Sequence, residues 1–267
     1  MIYAVANQKG GVGKTTTVHA LGAAFAERGT RVLVVDMDPQ AGLTVSCGIY
    51  PETLQETVYQ ALLEKTDPHQ AIIQTNIANV AIFPANLDLA GIEAELIGKL
   101  GWERSLTRVL QHVSYDIILL DCPPTLGILT TNALVAAKTV IVPVQCEYLA
   151  FRALAQLLKI VENVRKNANA DLALKILRTM YDPRTSHARE VFDELSNTWP
   201  GEVLQSFIKR TVKFADSTVG GSSILAYATE SEAAESYRNV CRELTNAEKT
   251  SPDHGPRRKR VLPRRKA

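Results

Sequence analysis

Residues 7–17 read NQKGGVGKTTT, and no other stretch of the chain restricts its fold so tightly. An apolar run, IYAVAN, precedes the glycines, and a small-residue segment of helical spacing, Thr15 to Arg28, follows and stops at Gly29. A strand, a glycine turn and then Gly13-Lys14-Thr15 opening a helix are the setting that a phosphate-binding loop requires. In that setting the backbone N–H groups from Gly10 to Lys14 converge on phosphate oxygens, reinforced by the helix N-terminus. Lys14 then contacts the β- and γ-phosphates of a nucleotide, and the Thr15 hydroxyl is placed to ligate Mg²⁺.

The remainder of the chain repeats the same alternation. Strand-like runs are RVLVVD, VAIFPA, DIILLD, TVIVPV, ALKILRTMY and a short one near VLQSFI. Between them lie helical stretches: 52–65 and 88–112 read as largely helical, followed by 126–138, 147–167, 185–198 and 231–246. Apolar strands separated by helices indicate an α/β fold, a doubly wound and mostly parallel sheet flanked by helices, the architecture of a P-loop NTPase. At 267 residues without an internal repeat, the reading is one domain over 1–248 and a tail over 249–267.

Charge singles out that tail. It holds eight Lys/Arg and one acid, which leaves 22 basic and 27 acidic residues for 1–248. With Pro252, Gly255, Pro256 and Pro263 among the cations, it reads as a disordered arm. Two readings stand: a solubilising end, or an electrostatic arm for an anionic polymer through Arg257, Arg258, Lys259 and Arg260. Four scattered cysteines without a C-x-x-C pair argue against a zinc ribbon or disulfide framework, and no apolar run reaches membrane-spanning length. A cytoplasmic protein is expected, with Trp102, Trp199 and His19 serving in packing.

The phosphate loop departs from the strict G-x-x-x-x-G-K-[ST] pattern, because Gln8 stands where its first glycine belongs. The form present, K-G-G-x-G-K-T-T, resembles the deviant Walker A motif of the ParA/MinD class of ATPases. That resemblance implies ATP and Mg²⁺ as cofactors, with Lys9, Gly10, Gly11, Val12, Gly13, Lys14, Thr15 and Thr16 around the nucleotide. It also implies that Lys9 is a signature lysine reaching across a homodimer to the other subunit's ATP. Asp36 and Asp38, at the end of VLVVDMD, stand two apart, a spacing that turns both carboxylates one way in extended backbone. By resemblance Asp36 and Asp121 join Thr15 around the metal, Asp38 orients the attacking water, and residues 122–127, CPPTLG, form the switch that senses the γ-phosphate. Lys9, Lys14 and Asp38 are thus the implied catalytic residues.

DMDPQAGLT, DCPPTLGILTTNAL, VIVPVQCEYLAFRAL and LRTMYDPRTSHAREVFDEL extend the likeness to the ParA/Soj partition branch over roughly residues 1 to 245. Other branches match less well. The tail offers only Val261 and Leu262 among prolines, too little for a membrane-binding amphipathic helix. Cys122 has no companion suited to an iron–sulfur cluster, and the first strand starts at Ile2, ahead of which an N-terminal helix-turn-helix has no room. Soj-like proteins carry a basic loop, I-P-R-N-V-R-L-S-E-A-P. The corresponding FIKRTVKFADS replaces its proline by Lys209 and its asparagine by Thr211, and keeps positive charge at Arg210 and Lys213. The branch implies a slow ATPase that dimerises in ATP, binds non-specific DNA on the nucleoid, and segregates chromosome or plasmid DNA with a ParB-like partner. Positioning of a protein organelle on the nucleoid, or regulation of a protein partner without DNA, are the alternatives.

Overall fold

The computed structural model describes residues 1–146, 150–219 and 221–249. Eight strands build one sheet: β1 (Ile2–Val5), β2 (Val32–Asp36), β3 (Ile73–Gln74), β4 (Val80–Phe83), β5 (Ile117–Asp121), β6 (Thr139–Gln145), β7 (Ala173–Thr179) and β8 (Val203–Phe207). Their order is β3-β4-β2-β5-β1-β6-β7-β8, and every pairing is parallel except β3 with β4. Both faces of the sheet are covered, so the inner strands have no polar side. All residues of β2 and β5 are buried, the two terminal aspartates included. In β1, alternation sends Tyr3 and Val5 into one apolar layer and Ala4 into the other.

The Tyr3 layer is made with α1 (Lys14–Ala26), α2 (Gly42–Ser46), α10 (Lys213–Val219), α11 (Ile224–Tyr227) and α12 (Glu232–Lys249). The opposite layer holds α3 (Val58–Leu62), α4 (Pro68–Ala71), α5 (Ile92–Leu96), α6 (Ser105–Leu110), α7 (Ile128–Ala136), α8 (Ala150–Asn167) and α9 (Ser186–Thr198). Helix α1 is buried on nearly every side, which its run of small residues permits. At Gly22 a Cβ would stand 3.0 Å from Val34 Cγ1, so the helix backbone lies almost on the sheet. Strands β2, β4 and β5 lie to one side of β1 and β6 to β8 to the other, which leaves a crevice over the carboxyl end of β1.

The structure departs from the expected elements in four places. Strand β3 is absent from the sequence pattern: with two residues, one half-buried and one exposed, it has too little length to show a period. Segments 52–65 and 88–112 are broken into short pieces. Pro51 opens a lone 3₁₀ turn, while Gly98 and Gly101 adopt φ +86 and +71, conformations that end a helix. The segment expected as a basic loop becomes helical at Lys213, and the last helix runs on to Lys249. Trp199 is buried and stacks on Phe151, while Trp102 packs half-buried against the core, as expected of packing residues.

The sheet is closed at its β8 side by a side chain. The Gln205 and Ser206 N–H groups donate to the Glu243 carboxylate of α12, at 2.7 and 2.9 Å.

Candidate nucleotide site

Local backbone geometry shapes the phosphate loop first. Gly11 and Gly13 sit at φ +72 and +89, a region in which any side chain is strained. Gly13 also caps α1 without offering a side-chain acceptor, so the helix's first N–H groups face the crevice uncapped. A Cβ at Gly10 or Gly11 would touch nothing within 4 Å, so the cradle is open where a phosphate enters. Three contacts hold it in place. Asn7 Nδ2 donates to the Pro143 carbonyl at 2.7 Å, Asn7 Oδ1 accepts the Lys9 N–H, and the Thr179 hydroxyl donates to the Val12 carbonyl at 2.8 Å.

The two lysines differ in placement. Lys14 is buried at 8% exposure, and its ammonium curls over the loop to donate to the Lys9 carbonyl at 3.3 Å. Desolvation lowers its pKa, opposed chiefly by the charge of Asp121. Lys9 is half-buried and donates to Gln145 Oε1 at the end of β6, 3.3 Å away. Thr15 and Thr16 follow in the first turn of α1, half-buried, and a Cβ added at Gly42, the first residue of α2, would lie 3.8 Å from Thr15 Cγ2.

The aspartates also divide. Strand β2 ends at Asp36, so strand alternation does not carry the pair. The Asp36 carboxylate accepts the Asp38 N–H and both the N–H and the hydroxyl of Thr44, which fastens the DMDPQAGLT loop to its own strand. Burial raises the Asp36 pKa to about 6 despite those donors. Asp38 is half-buried, and its carboxylate accepts the Gln40 N–H at 3.0 Å. Asp121 is the register partner of Asp36, 1% exposed, with both carboxylate oxygens buried and making no hydrogen bond. Burial first, and then the Asp36 charge, hold its pKa well above the usual carboxylate range, with the Thr15 hydroxyl and Lys14 working in the other direction.

Two orphaned carboxylate oxygens, a nearby threonine hydroxyl and a second buried carboxylate make a hard-oxygen donor set, which suits Mg²⁺. Among the described residues no group of three or more His, Cys, Asp or Glu could cage a metal alone. After Asp121 comes the 122–127 turn. It starts at buried Cys122, whose thiol is pushed up by desolvation, and ends where Gly127 caps α7. Of the four non-glycine residues with positive φ among the described residues, Ala41 and Met180 stand on the loops that follow β2 and β7 at this crevice.

Lys14, Thr15, Asp36, Asp38 and Asp121 are therefore brought to one end of the sheet. The candidate DNA contacts are not part of it. Lys209 is ion-paired with Glu232, which compensates its charge, whereas Arg210 and Lys213 are exposed. Arg257, Arg258, Lys259 and Arg260 lie outside the described residues. Sequence reasoning missed Thr44, Asn7, Gln145 and Thr179. Thr44 stands within DMDPQAGLT, but each of the others has a partner more than 130 residues away, which no local pattern announces.

The sequence model of the AAA domain family matches residues 1–174. The chain is 42% identical over 246 residues to the sporulation initiation inhibitor protein Soj of Bacillus subtilis, covering 91% of this chain and 97% of that one. It is 38% identical over 261 residues to the chromosome partitioning protein ParA of Myxococcus xanthus, covering 97% and 91%. A solved structure from Mycobacterium smegmatis, named cobyrinic acid a,c-diamide synthase and holding an ATP analogue and magnesium, superimposes with a TM-score of 0.83. Its identity is 41%, over 93% of this chain and 96% of that one. Among the described residues no helix is long and apolar enough to cross a membrane.

Proposed function

The chain belongs to the ParA/Soj family of deviant Walker A P-loop ATPases, and from that membership we propose that it is a Mg²⁺-dependent ATPase switch for DNA partition. ATP joins two copies, the paired copies hold non-specific DNA, and a ParB-like partner on the cargo triggers hydrolysis and release. The observation that carries this reading is the convergence of Lys14 with two buried aspartates, one of them with both oxygens unbonded, on one strand-end crevice.

Each residue then has a task. The loop N–H groups and Lys14 bind the phosphates, and the low polarity around Lys14 strengthens its grip on them. Bound Mg²⁺, among Thr15, Asp36 and Asp121, supplies charge neutralisation on the phosphate oxygens. Asp38, in reach of solvent where Asp36 is not, orients the water that attacks the γ-phosphorus. Lys9 leaves Gln145 when a second copy arrives and serves that copy's nucleotide in trans. Arg210 and Lys213 of both subunits form the DNA-binding surface, where doubling a modest patch raises affinity through avidity. The tail over 249–267, lying beyond the ATPase domain 1–248, adds phosphate contacts that do not depend on nucleotide. The working protein then sits on the nucleoid.

A DNA mobility shift tests the proposal, run with ATP or ADP on the native chain and on Asp38→Ala. The native chain should shift DNA more strongly in ATP than in ADP. Asp38→Ala should hold DNA persistently in ATP while its hydrolysis falls by about 10²-fold, the loss expected when a positioned water is released. A regulatory ATPase without DNA binding would shift nothing in either nucleotide.

A further inference from the structure

The two loops that flank the γ-phosphate position in this reading, 37–42 after β2 and 122–127 after β5, are joined by a third segment. At its start, the Thr44 hydroxyl that donates to Asp36 accepts the Ala85 N–H at 3.0 Å. The chain then runs through a 3₁₀ turn (Leu87–Gly91) into α5, pinned to the core by Leu89 and Ile92, both fully buried. At its end Glu93 Oε1 accepts the Ile128 N–H, the first of α7, at 3.3 Å.

That last contact fills a structural need. Gly127 is the N-cap of α7 and brings no side-chain acceptor, so the helix's leading N–H groups lack a local partner. The Glu93 carboxylate takes the vacant place from across the fold, and a negative charge is favoured there by the helix dipole. The available space agrees: a Cβ on residue 127 would stand 2.4 Å from Glu93 Oε1. Gly127 sits at φ −94, which any residue adopts, so an added side chain would meet the carboxylate and no backbone strain. Glu93 is itself exposed, and its removal leaves the buried core untouched.

We propose that Glu93 is a positioning residue for ATP hydrolysis: it caps α7 from a distance and thereby fixes the carboxyl end of loop 122–127 in the place from which the γ-phosphate is sensed. The proposal rests on the reading of that loop as the γ-phosphate sensor. Through Ala85 and Thr44 the same segment couples this loop to the one that carries Asp38.

Glu93→Ala, Glu93→Gln, Gly127→Ala and the double variant Glu93→Ala/Gly127→Ala test it, with two measurements on the full chain. The first is backbone hydrogen exchange over 122–131; the second is affinity for ADP and for a non-hydrolysable ATP analogue. Glu93→Ala should speed exchange at the start of α7 and lower the preference for the ATP analogue by about three- to tenfold, the range a charged cap supplies, with ADP affinity unchanged. Glu93→Gln keeps an acceptor and should recover most of that loss. Gly127→Ala evicts the carboxylate and should match Glu93→Ala, and the double variant should be no worse than either single one. Unchanged exchange in Glu93→Ala would overturn the cap. Faster exchange with an unaltered ATP-to-ADP preference would overturn the positioning role alone. If loop 122–127 of the unsubstituted chain exchanges equally in ADP and in the ATP analogue, the loop is no sensor, and the reading beneath the proposal falls with it.

Discussion

The proposed function offers both Lys14 and Arg210 to phosphate, yet the chain places them in opposite surroundings. Lys14 lies at 8% exposure in a low-dielectric crevice, with Asp121 and Asp38 close enough to bear on its charge. Arg210 stands in solvent after β8, beside a Lys209 already engaged by Glu232. In the crevice a charge is worth much, because burial amplifies it and geometry fixes it. On the surface each charge is screened and worth little, and only their number matters. The crevice should therefore respond to substitution in an all-or-none way, and the surface patch gradually.

The largest effect expected is at Lys14. Lys14→Ala should abolish ATP binding, whereas Lys9→Ala should keep near-native affinity and lose the hydrolysis that accompanies dimerisation. Nucleotide titration and sedimentation with ATP read both quantities. Equal loss of affinity in the two variants would mean that Lys9 works in cis, bound to its own loop and Gln145.

An intermediate effect is expected at the surface. Arg210→Ala and Lys213→Ala should each weaken ATP-dependent DNA binding several-fold, leaving hydrolysis without DNA unchanged. Deleting 249–267 should instead flatten the dependence of log affinity on log salt, by about 0.9 for each phosphate that the tail no longer neutralises. A single surface substitution that eliminates binding outright would show the patch to be as geometric as the crevice, and the two regions would no longer differ in kind.

A further effect, invisible at neutral pH, isolates burial from charge pairing. His19 on α1 is 4% exposed, its Nε2 lacks a partner, and desolvation lowers its pKa to about 4. Between the unfolded value near 6.5 and about 4, the unfolded chain takes a proton that the folded chain refuses. Stability is thus intact above pH 6.5 and is lost as pH falls through this window. Asp36 works the other way: with a raised pKa of about 6 it takes up a proton in the folded state first, which adds stability over the same fall. Comparing the native chain with His19→Gln removes the Asp36 contribution from the difference. The variant should gain about 2 kcal/mol relative to the native chain on going from pH 7.5 to pH 5, by denaturant unfolding. A constant difference would mean that His19 titrates normally.

The crevice was legible because its parts are local. Lys9 to Thr16 declare themselves within eight residues, and Asp36 and Asp121 each end a run of buried β-branched or aliphatic residues. What stayed hidden depends on partners far along the chain. Nothing near Lys209 announces Glu232, nothing near Gly127 announces Glu93, and nothing near Asn7 announces Pro143. The sheet was legible for a related reason, since a fully buried strand needs an unbroken apolar run. Strand β3 pairs only Ile73 and Gln74 and needs none. The connecting helices between β2 and β5 misled because glycines with positive φ and one proline cut them into turns, while their apolar spacing continued.

The Glu243 carboxylate, bound to two successive N–H groups of β8, carries a consequence for how copies of this chain can meet. An outer strand with free amides is a template on which another chain can add a strand, and in the proposed function copies gathered on DNA would meet often. Here those two amides are already taken by a side chain from α12, so β8 offers a stray strand little to bind. Strand addition at these two amides, one route to an irreversible stack, is thereby obstructed by one glutamate.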